Sequence, residues 1–211
     1  MNFQEKEISY KSTNTYSTLN QFTEKTEYVW FVCHGMGYLS RYFLKYFKDL
    51  NTEKHYIIAP QAPSKYYLPP KFKHVGASWL TRENTIAETE NIMRCYDSIF
   101  EAEPALISTK LIVLGYSQGV SVAMRYLAKR KLHCEHLILH SGGIPVELKS
   151  SDFKYFNGKP ILIYGNKDEY LSPERIEEQT KMAKNLFGNQ LEIIEFEGVH
   201  EVNVDFINKL V

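Results

Sequence analysis

Ser117, Asp168 and His200 are the residues whose types and order point to chemistry. Ser117 lies in Gly115-Tyr116-Ser117-Gln118-Gly119, a G-x-S-x-G string directly after the apolar run 110–114 and just before a helical pattern opening at Val120. A serine on such a turn is pushed out above the sheet. The glycines let neighbouring backbone come close, and the helix N-terminus supplies N–H donors for an oxyanion. The string alone is equally compatible with a serine that merely caps a helix. Partners elsewhere in the chain must decide.

In open α/β sheets, ligands gather outside the carboxyl ends of the strands, so partners are sought just after each apolar run. The run 27–33 ends in Cys33-His34-Gly35-Met36-Gly37, a glycine-rich turn able to present backbone N–H groups. In an acyl-transfer site the N–H groups of Met36 and Gln118 are the expected oxyanion donors. The run 159–164 leads into Gly165-Asn166-Lys167-Asp168-Glu169, ahead of a helix that starts only at Ser172. Either acid could orient a histidine there, and either could be a turn former or a solvated charge. The run 191–196 leads to His200, the candidate general base.

Six other histidines compete, of the seven in the chain. His55 begins a strand and so sits at the wrong end of the sheet. His133 and His136 flank the start of another, with a spacing to Cys134 that matches no common metal site. His34 belongs to the glycine-rich turn, and His74 to the aromatic stretch 61–80. His140 is at a strand's carboxyl end but precedes any suitable acid, which makes it pocket lining or support. The surviving order, serine then acid then histidine, is that of an α/β-hydrolase triad and differs from both major serine-protease orders.

At these residues the chain resembles the phospholipase/carboxylesterase family of α/β hydrolases, which includes small carboxylesterases and acyl-protein thioesterases. The elbow 115–119 is similar to the family's G-[FY]-S-Q-G, and His34-Gly35-Met36-Gly37 to its H-G-x-G loop. Ala59-Pro60-Gln61-Ala62-Pro63 resembles its proline-bearing segment, and Ser141-Gly142 its small pair after a later strand. The resemblance runs from about residue 27 to the C-terminus. It implies Ser117 as nucleophile, Asp168 rather than Glu169 as the orienting acid, and His200 as base. It also implies a substrate site lined by Gly35, Trp79 and Tyr116, and leaves a homodimer open. Tyr38, Val120, Tyr164 and Val199 depart from the family pattern and are expected to reshape the pocket rim.

The implied reaction is acyl transfer to Ser117 followed by hydrolysis, with no metal or organic cofactor required. Small carboxylic esters are the expected substrates, with thioesters as a further class. A peptidase or amidase on the same triad, or a silent binding protein on the same scaffold, are the competing readings. The segment between Ser141-Gly142 and Pro160 is too short for a large helical lid. The stretch 61–80, with Tyr66, Tyr67, Leu68, Phe72 and Trp79 among Lys65, Lys71, Lys73 and His74, either borders the pocket or packs on the sheet edge.

The elements that would hold these residues read as an alternation of strands and helices. Near-continuous apolar runs at 27–33, 55–58, 110–114, 135–140, 159–164 and 191–196 predict strands buried on both faces. Between them lie stripes at helical spacing: Leu39, Phe43, Phe47 and Leu50; Ile92, Tyr96 and Ile99 behind a Thr85/Glu88 capping box; Val120, Met124 and Leu127; and Ile176, Ala183 and Phe187, from a Ser172-Pro173 start to a Gly188 stop. This predicts an α/β-hydrolase fold with a mostly parallel sheet and helices on both faces. Alternation across 5–21 predicts an N-terminal edge hairpin.

With 211 residues and 44% hydrophobic content, one domain over 1–211 is expected. The 25 basic and 25 acidic residues cancel, and no long basic run exists, so nucleic acid is not an expected partner. Neither a signal-peptide pattern nor a bilayer-length apolar run is present. Three widely spaced cysteines suit reduced thiols. A cytoplasmic protein without integral membrane association is the expectation.

Overall fold

The computed structural model describes residues 2–211. Its centre is a seven-stranded sheet in the order β1-β3-β2-β6-β7-β8-β9. The strands are β1 (Tyr16–Leu19), β2 (Tyr28–Cys33), β3 (His55–Pro60), β6 (Lys110–Tyr116), β7 (His136–His140), β8 (Lys159–Gly165) and β9 (Glu192–Phe196). All neighbours pair in parallel except β1, which runs antiparallel to β3. The mostly parallel sheet expected from the apolar runs is therefore present, each run ending within two residues of its expected limit.

Side chains of the central strands alternate between two cores, as the period of two requires. Val29, Phe31, Val113, Leu137 and Leu139 face one side, which α2 (Thr85–Ala102), α3 (Ala105–Ser108), α4 (Gln118–Arg130) and α5 (Pro173–Phe187) cover. Trp30, Val32, Ile112, Leu114, Ile138 and Ile163 face the other. There α1 (Ser40–Phe43), the following 3₁₀ turn and α6 (Val204–Lys209) close the core through Phe43, Phe47 and Ile207. Each such side chain, fully withdrawn from water, contributes about 1.5–3 kcal/mol before its ordering cost.

Local signals were followed unevenly. Ser172 caps α5, its Oγ accepting the Arg175 N–H, with Pro173 at the first helical position and Gly188 ending the helix at φ 56°. The expected Thr85/Glu88 capping box is absent. Asn84 at φ 48° precedes α2 without a side-chain cap, and Thr85 Oγ1 donates to Thr81 O at 2.8 Å instead. The stripe 39–50 folds as a single helical turn followed by a 3₁₀ turn, too short to be one continuous helix.

The expected N-terminal edge hairpin is not formed. Only β1 is a strand, and Ile8 and Tyr10 are exposed without regular pairing. The alternation at 5–15 has no apolar surface to cover, whereas β1 finds the free edge of β3. Asn14 Nδ2 bonds Gln61 O at 2.7 Å, and the chain enters the sheet there. Within 61–80, where no strand is predicted above, β4 (Ser64–Tyr67) and β5 (Val75–Ser78) form a separate antiparallel pair. Between β7 and β8 there is one 3₁₀ turn and no inserted helical lid. Cys33, Cys95 and Cys134 are free thiols.

Candidate active site

Ser117 occupies the bend between β6 and α4 at φ 52° and ψ −120°, a conformation L-residues adopt only under tertiary constraint. The constraint is visible on three sides. The Ser117 N–H donates to His140 O at 2.8 Å. A Cβ on Gly119 would strike the Cys33 carbonyl oxygen, and one on Gly142 would strike that of Ser117. A Cβ on Gly115 would come within 2.5 Å of Val120 Cα. These glycines are required because backbone passes where side chains would stand. Val120 is fully buried in the room left by Gly115 and Gly142, so this departure from the family pattern shapes the core and not the pocket rim.

His200 follows β9, and its Nδ1 donates to Asp168 Oδ2 at 2.7 Å. A carboxylate only accepts, so this bond fixes the proton on Nδ1 and leaves Nε2 as the acceptor. Ser117 Oγ lies 3.0 Å from that Nε2 and donates to it. The Asp168 side chain is withdrawn from solvent, and its other oxygen accepts the Tyr170 N–H at 2.9 Å. Glu169, the rival acid, is exposed and reaches only the backbone N–H of His200, at 3.4 Å. The three residues singled out from sequence are thus brought into one hydrogen-bonded line, from the ends of β6, β8 and β9.

The loop after β2 lies against Ser117: an added Cβ on Gly35 would sit 3.1 Å from Ser117 Cβ. Two buried hydrogen bonds orient His34. Its Nε2 accepts the Ala62 N–H at 3.2 Å, so Nδ1 carries the proton and donates to Gly35 O at 2.8 Å. In a trans peptide the C=O and the next N–H point in opposite directions. Tethering Gly35 O to His34 therefore turns the Met36 N–H the other way. Neither the Met36 nor the Gln118 N–H has a protein acceptor among the described residues.

Gln118 contributes its side chain as well, which sequence reasoning missed. Its Oε1 accepts the Trp79 N–H at 2.8 Å and its Nε2 donates to Leu80 O at 2.7 Å. Trp79 was expected to line the substrate site. It is instead fully buried, donating from Nε1 to His34 O at 2.7 Å, and supports the 34–37 loop from behind. Tyr116, also expected to contact substrate, is buried as well, and its hydroxyl donates to His200 O at 2.9 Å. Both are positioning residues. Gly35 is buried between Tyr116 and Ser117, where an added Cβ would sit 3.0 Å from the Tyr116 ring and crowd it.

His140 bridges the Ser117 turn and the segment after His200. Its carbonyl holds the Ser117 N–H, while its Nε2 accepts the Asn203 N–H at 2.9 Å, three residues beyond His200. Its strand-end position was legible in the sequence; this double role was not. Tyr170, which no sequence signal marked, packs its ring against the His200 imidazole with centroids 4.8 Å apart and stays largely exposed. Tyr170, Met36 and Val199 are the exposed apolar residues beside the line. Among the described residues, no group of His, Cys, Asp and Glu could hold a metal ion.

Burial pushes His34 down to about 4 and His140 down to about 3 from the ordinary 6.5, the charge of nearby His200 adding to the effect on His140. In the unfolded chain both rings take up protons near pH 6.5. Between that value and their folded values the unfolded chain binds more protons, so stability falls as pH falls. At about pH 4.5 the loss is expected to reach roughly 2 kcal/mol per ring. Urea midpoints at about pH 7.5 and about pH 4.5 measure it, and the difference is expected to shrink in His140→Gln. Equal midpoints at the two pH values would remove the argument.

Several solved structures share this architecture. Zea mays acyl-protein thioesterase 2 superposes with a TM-score of 0.68 at 13% identity, over 94% of this chain and 96% of that one. A phospholipase/carboxylesterase from Dyadobacter fermentans gives 0.66 at 16%, over 95% and 97%. Esterase PE8 gives 0.68 at 19%, over 93% and 97%. At such identities the likeness is one of fold, and the fold is that of the α/β hydrolases. No curated protein matches the chain in sequence. A family model does: residues 38–203 match serine hydrolase (FSH1), and the chain belongs to that family of serine hydrolases. The matched stretch spans Ser117, Asp168 and His200, and the kinship with serine hydrolases of this fold expected from the motifs is borne out. Among the described residues, no helix is long and apolar enough to cross a membrane.

Proposed function

We propose that this serine hydrolase is a carboxylesterase that cleaves small carboxylic esters, and thioesters of similar size, through an acyl-enzyme on Ser117. The observation that carries the reading is the continuous line Ser117 Oγ, His200 Nε2, His200 Nδ1, Asp168 Oδ2, with bonds of 3.0 and 2.7 Å. His200 takes the hydroxyl proton as Ser117 Oγ attacks the carbonyl carbon. The tetrahedral oxyanion is met by the N–H groups of Met36 and Gln118, and the imidazolium returns the proton to the departing alkoxide or thiolate. Water then repeats the sequence on the acyl-enzyme, with His200 again as base, and the carboxylic acid leaves. Asp168 holds the tautomer and offsets the imidazolium charge.

The exposed apolar rim of Met36, Val199 and Tyr170 supports an uncharged or apolar acyl group. The site lies at the carboxyl ends of β6, β8 and β9, with no helical lid inserted between β7 and β8, and this open access favours small esters. A fluorophosphonate probe tests the reading: the folded protein is expected to be labelled at Ser117, and labelling to vanish on heat denaturation. Folded protein that resists the probe would instead be a binding protein on this scaffold. Turnover of an amide at the rate of its matched ester would favour the peptidase reading.

A further inference from the structure

The β4–β5 pair stands apart from the central sheet, and its base is built into the site. Gly37 N–H donates to Ala77 O at 2.9 Å and Ala77 N–H to Tyr38 O at 3.2 Å, so β5 continues onto the segment after Met36. A Cβ on Gly76 would lie 2.5 Å from Gly37 O, and Leu68 Cδ2 would be 3.7 Å from a Cβ on Gly37. A surface that receives the hairpin tip is therefore brought to the flank of Met36 and Ser117.

The tip has an unusual composition for a chain of zero net charge. From Lys54 to Arg82 there is no aspartate or glutamate, and Lys65, Lys71, Lys73 and His74 are all exposed. Among the described residues none of these three lysines is ion-paired. Between them, Tyr67 and Phe72 are each 62% exposed. Phe72 also holds φ 51°, where a bulky side chain is disfavoured and glycine or asparagine would be at ease. Neither backbone conformation nor burial explains a phenylalanine at that position; an external apolar contact does.

We propose that the β4–β5 tip docks on an anionic lipid surface, its lysines meeting phosphate headgroups while Phe72 and Tyr67 enter the acyl boundary. Aromatic rings interleaved with lysines suit that interface, where one end of each side chain is apolar and the other wet. An acidic protein is a poorer fit, because a specific protein interface needs about 800 Å² per partner and excludes charge from its centre. A narrow tip can satisfy a bilayer without such an area. The proposal does not depend on acyl transfer by Ser117.

Co-sedimentation of the full chain with vesicles tests it. Binding is expected to phosphatidylcholine vesicles containing about 30% phosphatidylglycerol, and to be much weaker to phosphatidylcholine alone. Lys71→Gln with Lys73→Gln is expected to lower the partition coefficient about 25-fold, roughly fivefold per lysine. Phe72→Gly, which removes the backbone conflict, is expected to weaken binding while remaining folded. Both variants should turn over p-nitrophenyl acetate like the parent, and Ser117→Ala should bind vesicles like the parent. Equal partition of the parent onto both vesicle types, or unchanged partition of the lysine variant, would overturn the proposal. So would binding to polyglutamate without binding to vesicles, which assigns the tip to an acidic polypeptide.

Discussion

Replacing Ser117 by alanine is expected to abolish p-nitrophenyl butyrate turnover, to a residue about 10⁶-fold below the parent, with the melting temperature nearly unchanged. The hydroxyl is the atom that becomes acylated, and no neighbouring group can substitute for it. His200 could at most activate water in its place. The side chain otherwise makes a single hydrogen bond, to His200 Nε2. Alanine keeps the backbone N–H bond to His140 O and tolerates φ 52° no worse than serine does. Turnover and stability therefore separate cleanly. Parent-like turnover in Ser117→Ala would place the chemistry on some other group and end the carboxylesterase reading.

Asp168→Asn is expected to reduce kcat by about 10⁴-fold at neutral pH while KM moves little. An asparagine amide that keeps the bond to the Tyr170 N–H through its oxygen must turn its NH₂ toward His200 Nδ1. It then donates where the carboxylate accepted, which selects the tautomer with the proton on Nε2. That tautomer cannot take a proton from Ser117. The loss should ease as pH rises, since deprotonated serine no longer needs the base. Glu169→Gln is the matched control: its carboxylate meets only the His200 backbone, so turnover should stay within a few-fold of the parent. If Glu169→Gln were the more damaging change, the assignment of the acid would be reversed.

The parts legible in the sequence are those where composition and geometry have one solution. Six parallel strands announced themselves as apolar runs because both their faces are covered, and the reactive residues followed because each stands just beyond such a run. Gly115 and Gly119 were legible for the same reason: backbone crosses at positions where any side chain would collide. What escaped depends on contacts between segments distant in the chain. The family resemblance places Trp79 at the pocket, yet its indole N–H found the His34 carbonyl and took it inside. Alternation at 5–15 reads as a strand, but period-two patterning holds only where a face is buried, and those residues meet none. The 61–80 stretch escaped for the opposite reason, since its proline pair and scattered lysines mask two short strands that pair only with each other. Which of Asp168 and Glu169 faces the His200 ring depends on the path of the loop, which spacing cannot encode.

The hydrogen bonds of Ala77, Trp79 and Leu80 have a consequence for engineering. Within these four positions, 77–80, one stretch of chain is fastened both to the loop of Gly37 and Tyr38 and to the Gln118 side chain. The turn 68–74 makes no such attachment to Ser117, His200 or Asp168. The hairpin is therefore divisible: its stem is a fixed socket, and its tip is an exchangeable part. Tips of other length or charge can be grafted beyond Tyr67 and Val75 to redirect the protein to new surfaces, while any exchange that disturbs the socket shifts the Gly35–Tyr38 loop and the Ser117 elbow together.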